Sequence, residues 1–413
     1  MQTGIGFGDF EIELEDIRIT KTMTFVRGFE PTAGGSIASS PKIWNNMIHF
    51  GSLDTNCYAL TSHGEEIWRT KLGGMITWAN PIFWKDFVMY GTYDHKFYAL
   101  DSKTGKIAWN FQTGGKIVTQ CNVSGNNVYV VSSDGYIYSL NASDGKELWR
   151  FRTGDKIATP PTVAEDRIYF GSFDHNMYCL SLEGKEIWRF KTGDEILADN
   201  PYKVYDGILY FASLDCYVYA VDAKTGRLEW KFKTGKYGNT CAPIRHEDRI
   251  YHACRDGIVY CLTKDGKEVW RFLADGLVVQ VGIFNDRLFF GDESGNLYCL
   301  SLDGKEIWRF KSSGAVYTDP LFHDNMIYIG SMDCHLYCLN LEGKELWRFQ
   351  TSSTTMSYIG EPYGMYEAVV RQEATKDEET KEEERYSVNF SEDFSNESEY
   401  SVKSEYVIKS EYA

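Results

Sequence analysis

Apolar and polar residues alternate along most of this chain in short runs, and each run ends at a cluster of Gly, Asp or Asn. The stretch KIATPPTVAEDRIYFGSFDHNMYCLSLEGKEIWRFKTG, residues 156–193, shows the pattern. Ile168 and Phe170 alternate with Tyr169 and Gly171, a period of two that predicts a strand. The stretch divides into four strands: an inner one around 157–163, a second at 167–172, a third at 177–181 and a fourth at 186–191. Turns separate them at Glu165-Asp166, Asp174-His175-Asn176 and Glu183-Gly184-Lys185. Gly184 suits the last turn, because a tight hairpin needs a positive φ that glycine adopts without steric penalty. No segment of the body keeps a 3.6-residue apolar period for ten residues, which excludes a helical solenoid.

The unit repeats. A Trp followed by Arg, Lys or Asn stands at Trp68, Trp109, Trp149, Trp188, Trp230, Trp270, Trp308 and Trp347, at spacings of 41, 40, 39, 42, 40, 38 and 39 residues. A tyrosine precedes each Trp by ten or eleven positions. Upstream of it seven copies carry an aspartate: Asp54, Asp94, Asp134, Asp174, Asp215, Asp256 and Asp333, with Ser294 in the remaining one. One four-stranded sheet of this size cannot bury both its faces, but eight stacked radially bury each face against a neighbour. The expectation is an all-β chain whose residues 34–352 form an eight-bladed β-propeller of four-stranded antiparallel blades. Four antiparallel strands per unit favour a closed ring over an open β-solenoid.

Two copies, ALDSKTGKIAW (Ala99 to Trp109) and AVDAKTGRLEW (Ala220 to Trp230), match every fixed position of Ala-x-Asp-x-x-Thr-Gly-x-x-x-Trp. This resembles the tryptophan-docking motif of the quinoprotein-type (PQQ-like) propellers. The other copies are degenerate: they keep a small residue at the first position (Ala59, Ser139, Cys179, Cys261, Cys299, Cys338), but only Thr104 and Thr225 are threonines at the sixth. The resemblance implies that each Trp packs flat on the small residue and on a peptide plane of the adjacent blade. An indole opposite a small side chain allows close approach, and burying it removes roughly 200 Å² from water. The family includes dehydrogenases that use pyrroloquinoline quinone with calcium, and also non-enzymatic scaffolds such as the lipoprotein of the outer-membrane assembly machinery. Fold alone does not choose between them.

Charge sharpens the choice of partner. The chain of 413 residues carries a net charge of −16, and the segment from Ser353 onward holds 15 acidic and 6 basic residues. That sign disfavours a nucleic-acid backbone or an anionic membrane surface. No apolar run is long enough to span a bilayer, and the N-terminus has no signal-peptide core. The ten cysteines include no vicinal pair and no C-x-x-C, so they read as reduced thiols of a cytoplasmic protein.

Candidate chemistry is sparse. The enzymes of the resembled family carry large inter-blade insertions, adjacent cysteines and a Glu-Asn-Asp calcium site, none of which this sequence shows. No metal site is expected: His95, His175 and His335 occupy the same turn of blades 2, 4 and 8 and cannot converge on one ion. The recurrent Asp of that turn reads as a cap on its own backbone. The residues that vary between blades lie just before the inner strands: Ser40, Asn80, Gln120, Asn200, Gln280 and Asp319, with Trp78 and Tyr317 near the same level. These mark a channel mouth able to hold a small ligand or peptide, or simply a water-filled channel. Blade 6 (KYGNTCAPIRHEDRIYHACRDG) and blade 7 (GDESGN) depart most from the repeat and mark either drift or a partner surface.

The ends differ from the body. Residues 1–33 alternate weakly (Phe10, Ile12, Leu14, then Ile17, Ile19) and read as an extra outer strand that helps to close the ring. Residues 353–385 read as an acidic linker. In residues 386–413 the triplet SEY recurs at Ser398, Ser404 and Ser410, an amphipathic strand or a disordered tail. The favoured function is a monomeric, non-catalytic protein-interaction scaffold without a cofactor. The alternative is an oxidoreductase dependent on pyrroloquinoline quinone or another small ligand, with its site at the channel mouth.

Overall fold

The computed structural model describes residues 35–351, together with the backbone of two short strands, Val370–Arg371 and Arg385–Tyr386. The chain divides into a unit of residues 31–358 and a second unit of residues 1–30 and 359–413. In the second unit the two short strands pair antiparallel, with Val370 opposite Tyr386. The expected terminal strand of residues 1–33, the linker and most of the SEY tail lie outside the described residues.

Residues 42–350 form eight sheets, each of four strands that follow one another in sequence. They are blades 1 to 8, spanning 42–71, 82–112, 122–152, 162–191, 203–233, 244–273, 282–311 and 321–350. All neighbouring strands are antiparallel, and no helix occurs among the described residues. The fold is the eight-bladed β-propeller that the repeat implies.

The inner strands are shorter than the alternation suggests. In blade 4 the strand is Thr162–Ala164, whereas 157–163 was expected. The reason is local. Pro160 and Pro161 have no N–H to give to a ladder, and the Ile157 N–H is spent on the Ser132 carbonyl of the preceding blade (3.3 Å). Residues before the inner strand therefore serve as the connector between blades. The outer strand, Glu186–Lys191, falls where the sequence places it.

Side chains from adjacent blades fill each interface. Between blades 4 and 5, Tyr169, Met177, Cys179 and Trp188 meet Tyr202, Leu209, Phe211 and Tyr219. The seam between blades 8 and 1 is built the same way: Tyr328, Leu336 and Cys338 meet Ile37, Ile48, Phe50 and Tyr58. Hydrogen bonds fasten it, among them the Ile37 N–H to the Ser331 carbonyl (3.1 Å), the Ser36 hydroxyl to the Met332 carbonyl (2.7 Å) and the Thr351 hydroxyl to the Gly35 carbonyl (2.6 Å). Among the described residues no blade lends a strand to another.

Candidate functional site

Two features recur around the ring and belong to the frame. The first joins each blade to the next. The small residue of the third strand faces the Trp of its own blade, as Ala59 faces Trp68. The other side of the indole lies against the hairpin glycine of the following blade. A Cβ placed on any of these glycines would sit 2.5 to 2.8 Å from a ring atom: Gly105 against Trp68, Gly226 against Trp188, and Gly64 against Trp347 across the seam. The hairpin glycine thus meets two demands, a positive φ and room for an indole. In six blades the indole N–H also donates to a carbonyl of that hairpin, Trp188 to Ala223 at 3.1 Å for example.

The second feature ties the turn in six blades. The Asp174 carboxylate accepts the Tyr178 hydroxyl (2.5 Å), the Asn176 N–H (3.0 Å) and the Gly154 N–H of the connector (2.7 Å). The Tyr–Asp bond recurs at Asp54, Asp94, Asp134, Asp215 and Asp333. Burial alone would raise the Asp174 carboxyl, but the Tyr178 hydroxyl and the two backbone donors outweigh it and hold it below the usual aspartate range.

An antiparallel meander puts the first and third turns of every blade on one face and the second turn, with the connectors, on the other. These are the hairpin face and the connector face. The channel residues singled out from sequence lie at the connector-face end. Hydrogen bonds link most of them: the Ser40 N–H to Asn80 Oδ1 (2.6 Å), the Asn80 amide to Gln120 Oε1 (3.3 Å), the Asp319 N–H to the Ser40 hydroxyl (2.8 Å) and the Asn200 amide to Asp319 Oδ1 (3.0 Å). The last joins blade 5 to blade 8, which are not neighbours. Gln280 stands outside the chain, buried with both amide atoms unpartnered. Trp78 and Tyr317 are buried too, at 3% and 6% exposure, and so do not edge an open mouth. Trp78 instead forms a parallel bridge to Thr119 of the next connector.

A sector of neighbouring aromatics lies at the opposite end. On the hairpin face Trp44 closes the inner strand of blade 1, is 36% exposed, and stacks on Phe83 of blade 2 at 5.2 Å and 9°. Its indole N–H donates to the Lys85 carbonyl (3.0 Å), and that of Trp84 to the Gly125 carbonyl (2.9 Å), so both rings are fixed. The Lys85 ammonium lies 4.1 Å from the Trp84 ring centroid. Across blades 5 to 7 the same level carries ion pairs, Arg245 with Asp206 (2.6 Å) and His246 with Asp286 (3.3 Å), and between blades 7 and 8 Phe284 stacks on Phe322 at 4.4 Å and 5°. Next to the aromatic sector, a recess of about 420 Å³ opens among the inner strands of blades 8, 1, 2 and 3, lined by Lys42, Ile43, Phe83, Gln120, Asn122 and Leu321 among others. Sequence reading missed this sector because Trp44 and Trp84, aligned with Ser124 and Ala164 in blades 3 and 4, belong neither to the recurring frame nor to the polar positions before the inner strands.

Nucleophiles and bases are muted. All ten thiols are unpaired, and burial pushes every one of them up, Cys121 beside the recess to about 12. Burial lowers His49 to about 4 and His252 to about 3, which keeps both neutral. On the connector face one mixed cluster does form: His175 with Asp194 and Glu195. The search for converging histidines overlooked it, because its carboxylates come from the connector that follows blade 4.

These features define an eight-bladed propeller with an indole wedge between blades and variable chemistry at the two channel ends. A family model described as outer membrane protein assembly factor BamB matches residues 53–159, 135–270 and 255–372. The chain belongs to this PQQ-like propeller family. No curated protein sequence matches it. Among solved structures it is similar to BamB from Moraxella catarrhalis, with 22% identity over 73% of this chain and 95% of that one, at a TM-score of 0.64. It is also similar to the computationally designed Ika8 protein, with 16% identity over 76% of this chain and 100% of that one, at a TM-score of 0.66. No helix among the described residues is long and apolar enough to cross a membrane.

Proposed function

We propose that this protein is a non-catalytic scaffold that holds another protein against its hairpin face. The observation that carries the reading is the fixed aromatic sector of Trp44, Phe83 and Trp84 beside the channel recess. Rigid, half-exposed indoles lose little conformational entropy when covered, and they are the residue type most enriched at binding hot spots. The family supports it, since its model is described as an assembly factor. The muted thiols and imidazoles support it from the chemical side. The free cysteines suit a reducing compartment, and we place the protein in the cytoplasm.

A photo-crosslinking residue at Asn46, on the hairpin face, tests the reading. It is expected to trap a discrete protein, and the trapping should fall when Trp44→Ala and Trp84→Ala are added. The same residue at Lys236, on the connector face, should trap nothing comparable. Equal trapping from both faces, or trapping indifferent to the two indoles, would overturn the proposal.

A second reading, an oxidoreductase with a small ligand in the channel, draws on the recess and on the buried, unpartnered Gln280 amide. A melting shift on adding pyrroloquinoline quinone with calcium would favour it over the scaffold.

A further inference from the structure

We propose that the connector face of blade 4 carries a divalent-metal site made by His175, Asp194 and Glu195. One ligand atom from each of these half-buried residues lies within 4.8 Å of the other two. A metal bound at roughly 2.0–2.2 Å from each ligand sets them about 3 to 4.4 Å apart, close to the spread of these three groups.

The backbone that presents the three groups is tied down. His175 sits at φ +69° in the turn between the second and third strands. Its carbonyl accepts both the N–H (2.8 Å) and the hydroxyl (2.9 Å) of Thr192, which joins the turn to the connector. The same hydroxyl donates to the Asp194 carbonyl (2.6 Å). The Glu195 carbonyl accepts the Leu214 N–H and the Ser213 hydroxyl of blade 5, each at 3.0 Å. Turn, connector and next blade therefore hold the ligand-bearing residues in register.

The other blades supply the control. The connectors after blades 2 and 3 repeat this backbone, and among the described residues the turn of blade 4 and its connector alone combine an imidazole with two carboxylates. Blade 2 has His95 at the same left-handed position, with φ +67°, but its connector carries Gly115 and Lys116. The connector after blade 3 offers Asp155 but follows it with Lys156, and the turn residue there is Gly135. At the position of Glu195 those two lysines lie over the rings of Tyr93 and Phe173, at 4.9 and 5.1 Å. The connector after blade 4 thus reverses the charge found at that position after blades 2 and 3, and does so beside a histidine, whereas the connectors after blades 1, 6 and 7 carry Met75, Leu277 and Ala315 there. One nitrogen and two oxygens suit a first-row ion such as Zn²⁺, Co²⁺ or Mn²⁺, and leave open positions for water or for a group from a partner. The site is on the face opposite the aromatic sector, so it stands independently of the scaffold reading.

Calorimetric titration of the full chain tests it, with chelator-stripped protein free of any histidine tag and Zn²⁺, Co²⁺ and Mn²⁺ added in turn. One equivalent of at least one ion is expected to bind. His175→Gly, Asp194→Asn and Glu195→Gln should each weaken that binding at least about tenfold. His175→Gly also relieves the left-handed backbone, so it is not expected to cost folding. His95→Ala should leave binding unchanged. The Co²⁺ complex should lack a thiolate charge-transfer band. No saturable binding in the unsubstituted protein, binding indifferent to the three variants, or a strong thiolate band would each overturn the proposal.

Discussion

Blades 4 and 7 have the same outer strand, EIWRFK, at Glu186–Lys191 and Glu306–Lys311. In both, the arginine is paired with its glutamate and lies over the third-strand tyrosine, Arg189 at 5.1 Å from Tyr178 and Arg309 at 4.8 Å from Tyr298. Their turns differ. Blade 4 has Asp174 where blade 7 has Ser294, yet the tyrosine keeps its acceptor. In blade 7 Asp292, two residues earlier, takes the Tyr298 hydroxyl (3.0 Å) and the Asn296 N–H (2.8 Å). The connector amide that binds Asp174 in blade 4 has its counterpart in the Asp275 N–H, which donates to the Tyr298 oxygen instead (3.0 Å). The frame requires an acceptor at a point in space, and more than one position in the sequence can supply it.

The comparison can be broken in order of expected effect. Trp188→Ala and Trp308→Ala should each cost about 3–5 kcal/mol, since a large aromatic is lost from a packed interface. Similar drops in melting temperature are expected for the two, and a shift within error at either would mean that the wedge does not carry that blade. Asp292→Asn should cost about 1–3 kcal/mol, the usual penalty for disturbing a buried polar partner. Adding Ser294→Asp should restore most of it by returning the carboxylate to the place it has in blade 4. If the double variant stays as unstable as the single, position matters and the equivalence fails. The smallest effect is one of pH. The folded-state pKa of Asp174 is depressed, so its contribution is present above the unfolded value of about 3.9 and is lost as pH falls through the folded one. The stability gap between the unsubstituted protein and Asp174→Asn should narrow below pH ~4, followed by denaturant midpoints from pH 3 to 7.

Whatever is repeated was legible in the sequence. Trp, Gly, Tyr and Asp recur because each blade solves the same packing problem, and the count of eight with four strands per blade follows from their spacing. What depends on position around the ring was not. The Asn200–Asp319 bond requires two non-adjacent blades to meet near the channel axis. It is helped by a longer connector: Ile196 stands seven residues before its inner strand, and Ile157 five. Trp78 and Tyr317 looked like mouth residues because they flank the polar positions, yet the connectors fold them inward. Trp44 and Trp84 escaped notice because other blades fill their position with Ser124, Ala164 or His246, so no recurrence marks it. Asp194 and Glu195 escaped for a different reason: a connector was treated as part of no blade, and its side chains were not weighed against the turn beside it.

The wedge of Trp347 on Gly64 gives the seam the same indole-on-glycine contact as the other seven interfaces, so the ring is a cycle of eight such links. Breaking one link leaves an arc still held at seven, and its freed edges cannot drift far apart before they meet again. Opening at any single interface should therefore be brief and reversible. Lasting loss of the circle requires a second interface to fail before the first has healed.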